Sequence, residues 1–307
     1  KRIKQYQLIE QAKTALVVSE DRQLALQYYK SALRKHDKAS PNDHYNALLL
    51  GLEEKDVGFA FKNARALAEK SLCIDFFNNI DALQKHPKQW NKLNEVLEQS
   101  KKNINFDYQS EINQLYNLDQ EVRYNGSSFE EIAKTDSVHY IQFFKLIKKY
   151  GFPSVDKIGL NCSDDMKGFH SIPTSTLLTH FSQRKYLKID SIMESALRDN
   201  DIHPDQFAKY TGLMGHPFRL FINPIVRIKD KYYLIKMKDS FKEVVNENRV
   251  QLGMMPLDNQ IEAIKKLIQK KENNEAFKFR LGPEFNINQF SSLPKSVLES
   301  SFEKIEF

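Results

Sequence analysis

His180 is the residue whose type and setting come closest to chemistry in this chain. It sits in Leu177-Leu178-Thr179-His180-Phe181, near the edge of an apolar stripe and one turn from Leu177 and Arg184. An imidazole with an ordinary pKa near ~6.5 suits proton transfer at neutral pH, so one reading is a general base oriented by Asp119 or Asp136. The plainer reading is a histidine bonded within a core or at its edge, since no nucleophile motif accompanies it. Asp119 and Arg123 stand four residues apart, the spacing of a solvated helix pair that contributes roughly a few tenths of a kcal/mol. Ser163-Asp164-Asp165 lacks the ligand spacing and closing Glu of a calcium loop, so no metal is expected. The chain has no Gly-rich phosphate loop, no Gly-x-Ser-x-Gly elbow and no His-Glu-x-x-His pair, and no cofactor is expected.

The element that must position His180 is Thr174–Asp199. Leu178, Phe181, Ile189, Ile192, Met193, Ala196 and Leu197 recur at three- and four-residue spacing with charged residues between them. The spacing predicts one long amphipathic helix, opened at Pro173 and Thr174 or Ser175 and stopped by Asp199-Asn200-Asp201 before His203-Pro204. Helices are expected on its N-terminal side at about Ser110–Tyr124, with Ile112, Leu115, Leu118 and Val122 inward, and at Asp136–Tyr150, with Val138, Ile141, Phe144, Leu146 and Ile147 inward. Gly151 and Pro153 close the second of these. Pro204–Tyr210 reads as a short helix. Arg219–Lys229 and Tyr232–Lys238 then read as a β-hairpin, whose first strand Pro224 should confine to an edge or a bulge. Ser240–Leu252 and Leu257–Lys271 read as closing helices, and the residues beyond Glu272 as a tail that docks weakly or frays.

The first hundred residues carry an internal repeat. Ala12 and Ala47, Leu24 and Phe59, Ala25 and Ala60, Tyr29 and Ala64, Ala32 and Leu67, and Leu33 and Ala68 are all 35 residues apart. They fall on helices at about Gln5–Val18, Leu24–Lys35, Asp43–Glu54 and Gly58–Leu72, with turns at Ser19-Glu20-Asp21 and Lys55-Asp56. Small residues at matched positions let helices approach closely, and Tyr29 and Phe61 fill the gaps. Two such units bury too little surface alone, so Asp81–Ser100, with the lone Trp90 packed inside, is expected to cap them. This stretch resembles a tetratricopeptide repeat over about Gln5–Leu72. The resemblance implies either a surface that takes up a peptide, with Tyr29 as its binding candidate, or a platform that braces the second domain.

Composition agrees with a mainly α, globular fold. Of 307 residues, 41% are hydrophobic and 28% charged, and ten Gly and ten Pro are too few for a turn-dense β design. The +6 formal charge is spread along the chain, whereas nucleic-acid binding needs it clustered on one face, so no nucleic acid is expected. No apolar run reaches the ~18 residues of a membrane span. Cys73 and Cys162 have no ligand pattern around them. Two buried, unreactive thiols are the expectation and a single bridge the alternative. The absence of an initial Met and of reactive cysteines points to an exported protein, periplasmic or cell-surface associated, with a cleaved leader; a trimmed cytoplasmic one is the alternative. The expected division is a helical-repeat domain at 1–103, a mostly helical domain at 104–271 with its β-hairpin near 219–238, and a tail at 272–307.

In the second of these domains, Asp119–Arg123 (DQEVR), Lys148–Gly159 (KKYGFPSVDKIG), Leu177–Gln183 (LLTHFSQ) and Asn246–Ile261 (NENRVQLGMMPLDNQI) occur in an order that resembles the bacterial domain-of-unknown-function family 6624. That family often follows tetratricopeptide-like helices. The resemblance implies roles for Asp119, Arg123, His180 and Arg249, with Arg249 drawn into an interior ion pair, but it implies no reaction. The chain departs from the family at Ala208-Lys209-Tyr210-Thr211 and Leu220-Phe221-Ile222-Asn223, where the family carries polar residues. The expected function is therefore a non-catalytic accessory protein that binds a protein or peptide through Arg123, Arg249 and Tyr29. The alternative is a hydrolase-like enzyme with a pocket around His180, Asp119 and Arg249.

Overall fold

The structure is a computed structural model that describes residues 2–34, 39–162, 169–170, 172–183, 189–213, 224–275, 277–281, 287–292 and 294–305. It is mainly α, with a small sheet. The chain divides into two compact units, one formed by 1–55 with 204–307 and the other by 56–203. The expected boundaries at 103 and 271 do not follow this division. The reason is local. The composition break near residue 104 falls where Asn105 caps a helix and its N–H bonds the Lys157 carbonyl, inside the second unit.

The first unit opens with α1 (Arg2–Thr14), which runs on through a π turn (Ala15–Ser19), and continues with α2 (Arg22–Ala32) and α3 (Pro41–Glu53). Helices α1 and α2 pack along each other. Glu20 turns the chain at φ 54°, and Asp21 then caps α2 by accepting from the Leu24 N–H at 2.9 Å. Lys55 repeats that turn at φ 60°, and Asp56 repeats the cap on the Phe59 N–H at 3.0 Å. The local structure thus recurs at the 35-residue offset read from the sequence. Burial recurs with it: Ala12 and Ala47, Ala25 and Ala60, and Tyr29 and Ala64 are all fully enclosed.

The second unit begins with α4 (Val57–Ala68), α5 (Ile74–Asn78), α6 (Asp81–Gln84) and α7 (Pro87–Ser100). The expected capping helix is split in two at Pro87, which has no N–H to continue the ladder. Its longer part, α7, packs on α4 and leaves Trp90 half-buried. The long α8 (Phe106–Tyr124) and α9 (Phe129–Tyr150) pack on each other, followed by the one-turn α10 (Val155–Ile158), the short paired strands β1 (Asn161–Cys162) and β2 (Phe169–His170), α11 (Ile172–Gln183) and α12 (Ile189–Asp199). The long helix expected over 174–199 is therefore described as two helices, and the stretch 184–188 between them lies outside the described residues, as does Ser163-Asp164-Asp165. Cys73 and Cys162 form a disulfide across 89 residues of sequence, so the expected pair of thiols is corrected to the bridge.

The first unit resumes with α13 (Pro204–Leu213), strands β3 (Ile225–Ile228) and β4 (Lys231–Ile235), α14 (Asp239–Gln251) and α15 (Leu257–Glu272). Of the two expectations for the tail, docking is the one described: it supplies β5 (Asn288–Phe290) and β6 (Phe302–Lys304) to a sheet ordered β5-β3-β4-β6, with α16 (Lys295–Ser301) just before β6. The hairpin β3–β4 is antiparallel, β5 adds to β3 in parallel and β6 to β4 antiparallel. Strand β3 is thus internal rather than an edge. Pro224 permits this because it stands just before the strand, where its missing N–H costs no ladder bond. Among the described residues no helix is long and apolar enough to cross a membrane.

Candidate functional sites

The second unit gathers five titratable side chains from three helices. Asn105 caps α8, and Tyr108, Ile112, Leu115 and Asp119 then form its buried stripe at helical spacing. Ser128 and Glu131 form a capping box that starts α9 seven residues before its expected first residue. The helix is thereby phased so that Asp136, His139 and Phe143 face inward, while Val138 and Ile141, expected inside, are exposed. On α11, Leu177, Leu178 and Phe181 are enclosed, and His180 lies at the rim with 17% of its side chain open to solvent.

Asp119, fully buried, is the hub. Its Oδ2 lies 2.9 Å from His180 Nδ1, and its Oδ1 accepts from Arg123 Nη1 at 2.8 Å. Arg123 also donates through Nη2 to Asp136 Oδ1 at 2.6 Å. His139 Nδ1 stands 4.0 Å from Asp119 Oδ1, beyond ordinary hydrogen-bond length. Burial by itself would raise the Asp119 pKa. His139 and His180, with Arg123 behind them, reverse that and hold the carboxyl far below the usual carboxylate range. An ionised carboxylate only accepts, so His180 donates from Nδ1, and in a neutral imidazole Nε2 is then the acceptor. This is the orientation that equips an imidazole to take a proton. An open groove of about 310 Å³ between α8 and α9, lined by residues such as Leu115, Leu118 and Lys145, includes neither His180 nor Asp119.

The sequence-derived candidates therefore separate. Asp119, His180 and Arg123 meet, and Asp136 joins through Arg123. Arg249 belongs to the first unit, where it is fully buried and donates from Nε to the Met255 carbonyl at 2.8 Å. This contact ties the Arg249 side chain to the turn that follows its own helix. Sequence reasoning misses His139 because a lone histidine among apolar residues carries no pattern; its spacing from Asp136 and Phe143 is the available signal.

The first unit holds a second polar site. Tyr29 is fully buried, which pushes its hydroxyl pKa up, and so it cannot touch a partner directly. Its Oη instead accepts from Asn46 Nδ2 at 3.3 Å, bracing an equally buried amide. Asn46 Nδ2 donates to the Arg280 carbonyl at 2.7 Å, while Asn46 Oδ1 accepts from the Arg280 N–H at 2.7 Å. One side-chain amide thus reads both backbone groups of one residue, as a neighbouring strand would.

No family model matches the chain, and no curated protein or solved structure is significantly similar to it.

Proposed function

We infer that this chain is a non-catalytic accessory protein that engages a polypeptide partner through the helices of its first unit. The observation that carries the reading is the Asn46 amide, buried and braced by Tyr29, which satisfies the N–H and C=O of a single non-helical residue. That is chemistry for holding a chain by its backbone, whatever its side chains. The recurrence of turn, cap and burial at 35 residues supports a tetratricopeptide-like ancestry for the helices around it, and the disulfide supports an oxidising compartment and hence export. The test is a peptide array probed with the purified chain and with Asn46→Ala. Capture of peptides by the native chain that Asn46→Ala loses is the expected result; equal capture by both would refute the reading.

A second reading rests on the Asp119–His180 pair, which supports acid–base chemistry of a hydrolase-like kind in the second unit. Its test is turnover of a panel of chromogenic esters, amides and phosphoesters, with His180→Gln as the control. Turnover by the native chain that vanishes in the variant would make this reading the better one.

A further inference from the structure

We propose that the face of α3 around Asn46 is a docking site for an extended segment of alternating aromatic and basic residues, and that residues 277–281 of this chain are its resident occupant, which a partner segment displaces. The proposal rests on the polypeptide-binding reading above and says what the bound segment must look like.

The occupant behaves as a ligand in its geometry. Residues 277–281 belong to no helix or strand, and their side chains alternate in what they meet. Lys278 forms an ion pair with Glu53, and the Arg280 guanidinium lies over the Tyr45 ring at 4.8 Å, so these two face α3. Phe277 and Phe279 are partners of each other, edge to face at 5.6 Å. Arg280 lies at Tyr45 and Asn46 while Lys278 lies at Glu53, so the segment runs antiparallel to α3. Recognition thus divides into a backbone clamp at Asn46, an acidic contact at Glu53 and an aromatic seat at Tyr45. A segment reading aromatic-basic-aromatic-basic satisfies all three.

Displacement requires the outer contact to part first, and the Lys278 side chain is 55% exposed. Strand β5 is held by β3, and β6 by β4, through their own ladders. The end of the chain therefore has an anchor in the sheet that does not depend on Asn46. A fold that needed only to route its chain to β5 has no use for a buried, tyrosine-braced amide aimed at one backbone residue on the way.

The experiment measures binding of a fluorescein-labelled peptide Glu-Ala-Phe-Lys-Phe-Arg-Leu, the sequence of residues 275–281, by anisotropy. The proteins are the full native chain, the K278E/R280E variant, and that variant with N46A added. Hydrogen exchange at the Arg280 amide reports whether the resident segment has left. Occupied sites bind more weakly in proportion to the fraction open, so the charge-reversed variant should bind at least about tenfold more tightly than the native chain, and N46A should abolish the gain. R280A, a milder change, should give an intermediate gain and serves where the double variant does not fold. Equal binding by the native chain and the variant would overturn self-occupancy while leaving the polypeptide reading intact. A variant whose backbone amide at position 280 exchanges freely and that still binds nothing would overturn both. An amide at position 280 that stays protected in the variant would overturn the assignment of Lys278 and Arg280 as the holding contacts. Concentration-dependent dimerisation of the variant, one copy lending its segment to another, would overturn the assignment of a separate partner.

Discussion

The disulfide offers the sharpest quantitative test of the second unit. Cys73 stands just before α5 and Cys162 ends β1, so the bridge closes a loop with a sequence separation of 89. In the chain-entropy description, a cross-link of that span removes about 15 cal/mol/K from the unfolded ensemble, which at room temperature stabilises the folded unit by about 4.6 kcal/mol. This is an upper value, because residual structure in the unfolded chain already restricts the loop. Replacing both cysteines, as Cys73→Ser with Cys162→Ser, should therefore cost about 3–5 kcal/mol. Trp90 makes the measurement specific: it is the sole tryptophan and lies on α7 of this unit. Guanidinium unfolding followed by its fluorescence should show a shifted midpoint, and thiol titration of the denatured native protein should find no free thiol. A loss below about 1 kcal/mol, with the bridge shown intact in the native chain, would refute the loop-closure reasoning.

Three further outcomes rest on the side chains already placed. Nitrogen NMR of His180 should show the proton on Nδ1, and Asp119→Asn should both scramble that tautomer and cost about 3–5 kcal/mol by breaking a buried charged cluster; a native proton on Nε2 would contradict the geometry. The depressed Asp119 pKa makes the second unit acid-sensitive with a definite sign: its contribution is complete above the usual carboxylate range, near ~4, and is withdrawn as pH falls towards the lowered native value. Trp90-monitored unfolding from pH 7 to pH 3 should show this loss, and Asp119→Asn should flatten it. Gly253 has φ +79°, and a Cβ there would stand 2.8 Å from both the Ile3 carbonyl oxygen and Tyr6 Cβ, so Gly253→Ala should cost about 2–4 kcal/mol in thermal unfolding. Gly126→Ala, at φ +69° with nothing nearby, should cost only about 1 kcal/mol and isolates the backbone contribution.

The helices are legible in the sequence because their signals are local. Asp21 and Asp56 cap the helix three residues on, and Gly151 ends α9 at φ 82°, so each boundary is written within one turn of itself. Inward faces are harder. Val138 and Ile141 look like core on apolarity alone, but the Ser128–Glu131 cap and the pull of Arg123 on Asp136 turn α9 so that a titratable stripe is buried. Whatever depends on distant partners leaves no trace in the pattern. Strand β5 is three residues long and gains its meaning only from β3, more than fifty positions earlier. The Asn46 clamp joins residues separated by 234 positions, and neither end carries a motif. Arg249 shows the same limit from the other side: its place before the Leu252-Gly253 turn is visible, but its bond to Met255 within that turn is not.

The two polar sites differ in what their burial implies. Asp119, Asp136 and Arg123 bring two carboxylates and a guanidinium into a helical interface where apolar side chains of similar volume would serve stability as well or better. Their presence is an argument that the cluster does something other than hold α8 to α9, and His180, oriented by Asp119 and open to solvent at the rim, is where that something would meet another molecule. Asn46 and Tyr29 bury neutral groups whose hydrogen bonds close on one another and on a backbone, at far lower electrostatic cost. Such a site tolerates exchange of one extended segment for another, since the amide offers the same two bonds to each. Catalysis would require a substrate to reach His180 at the rim of the first site; recognition requires of the second only that residues 277–281 leave.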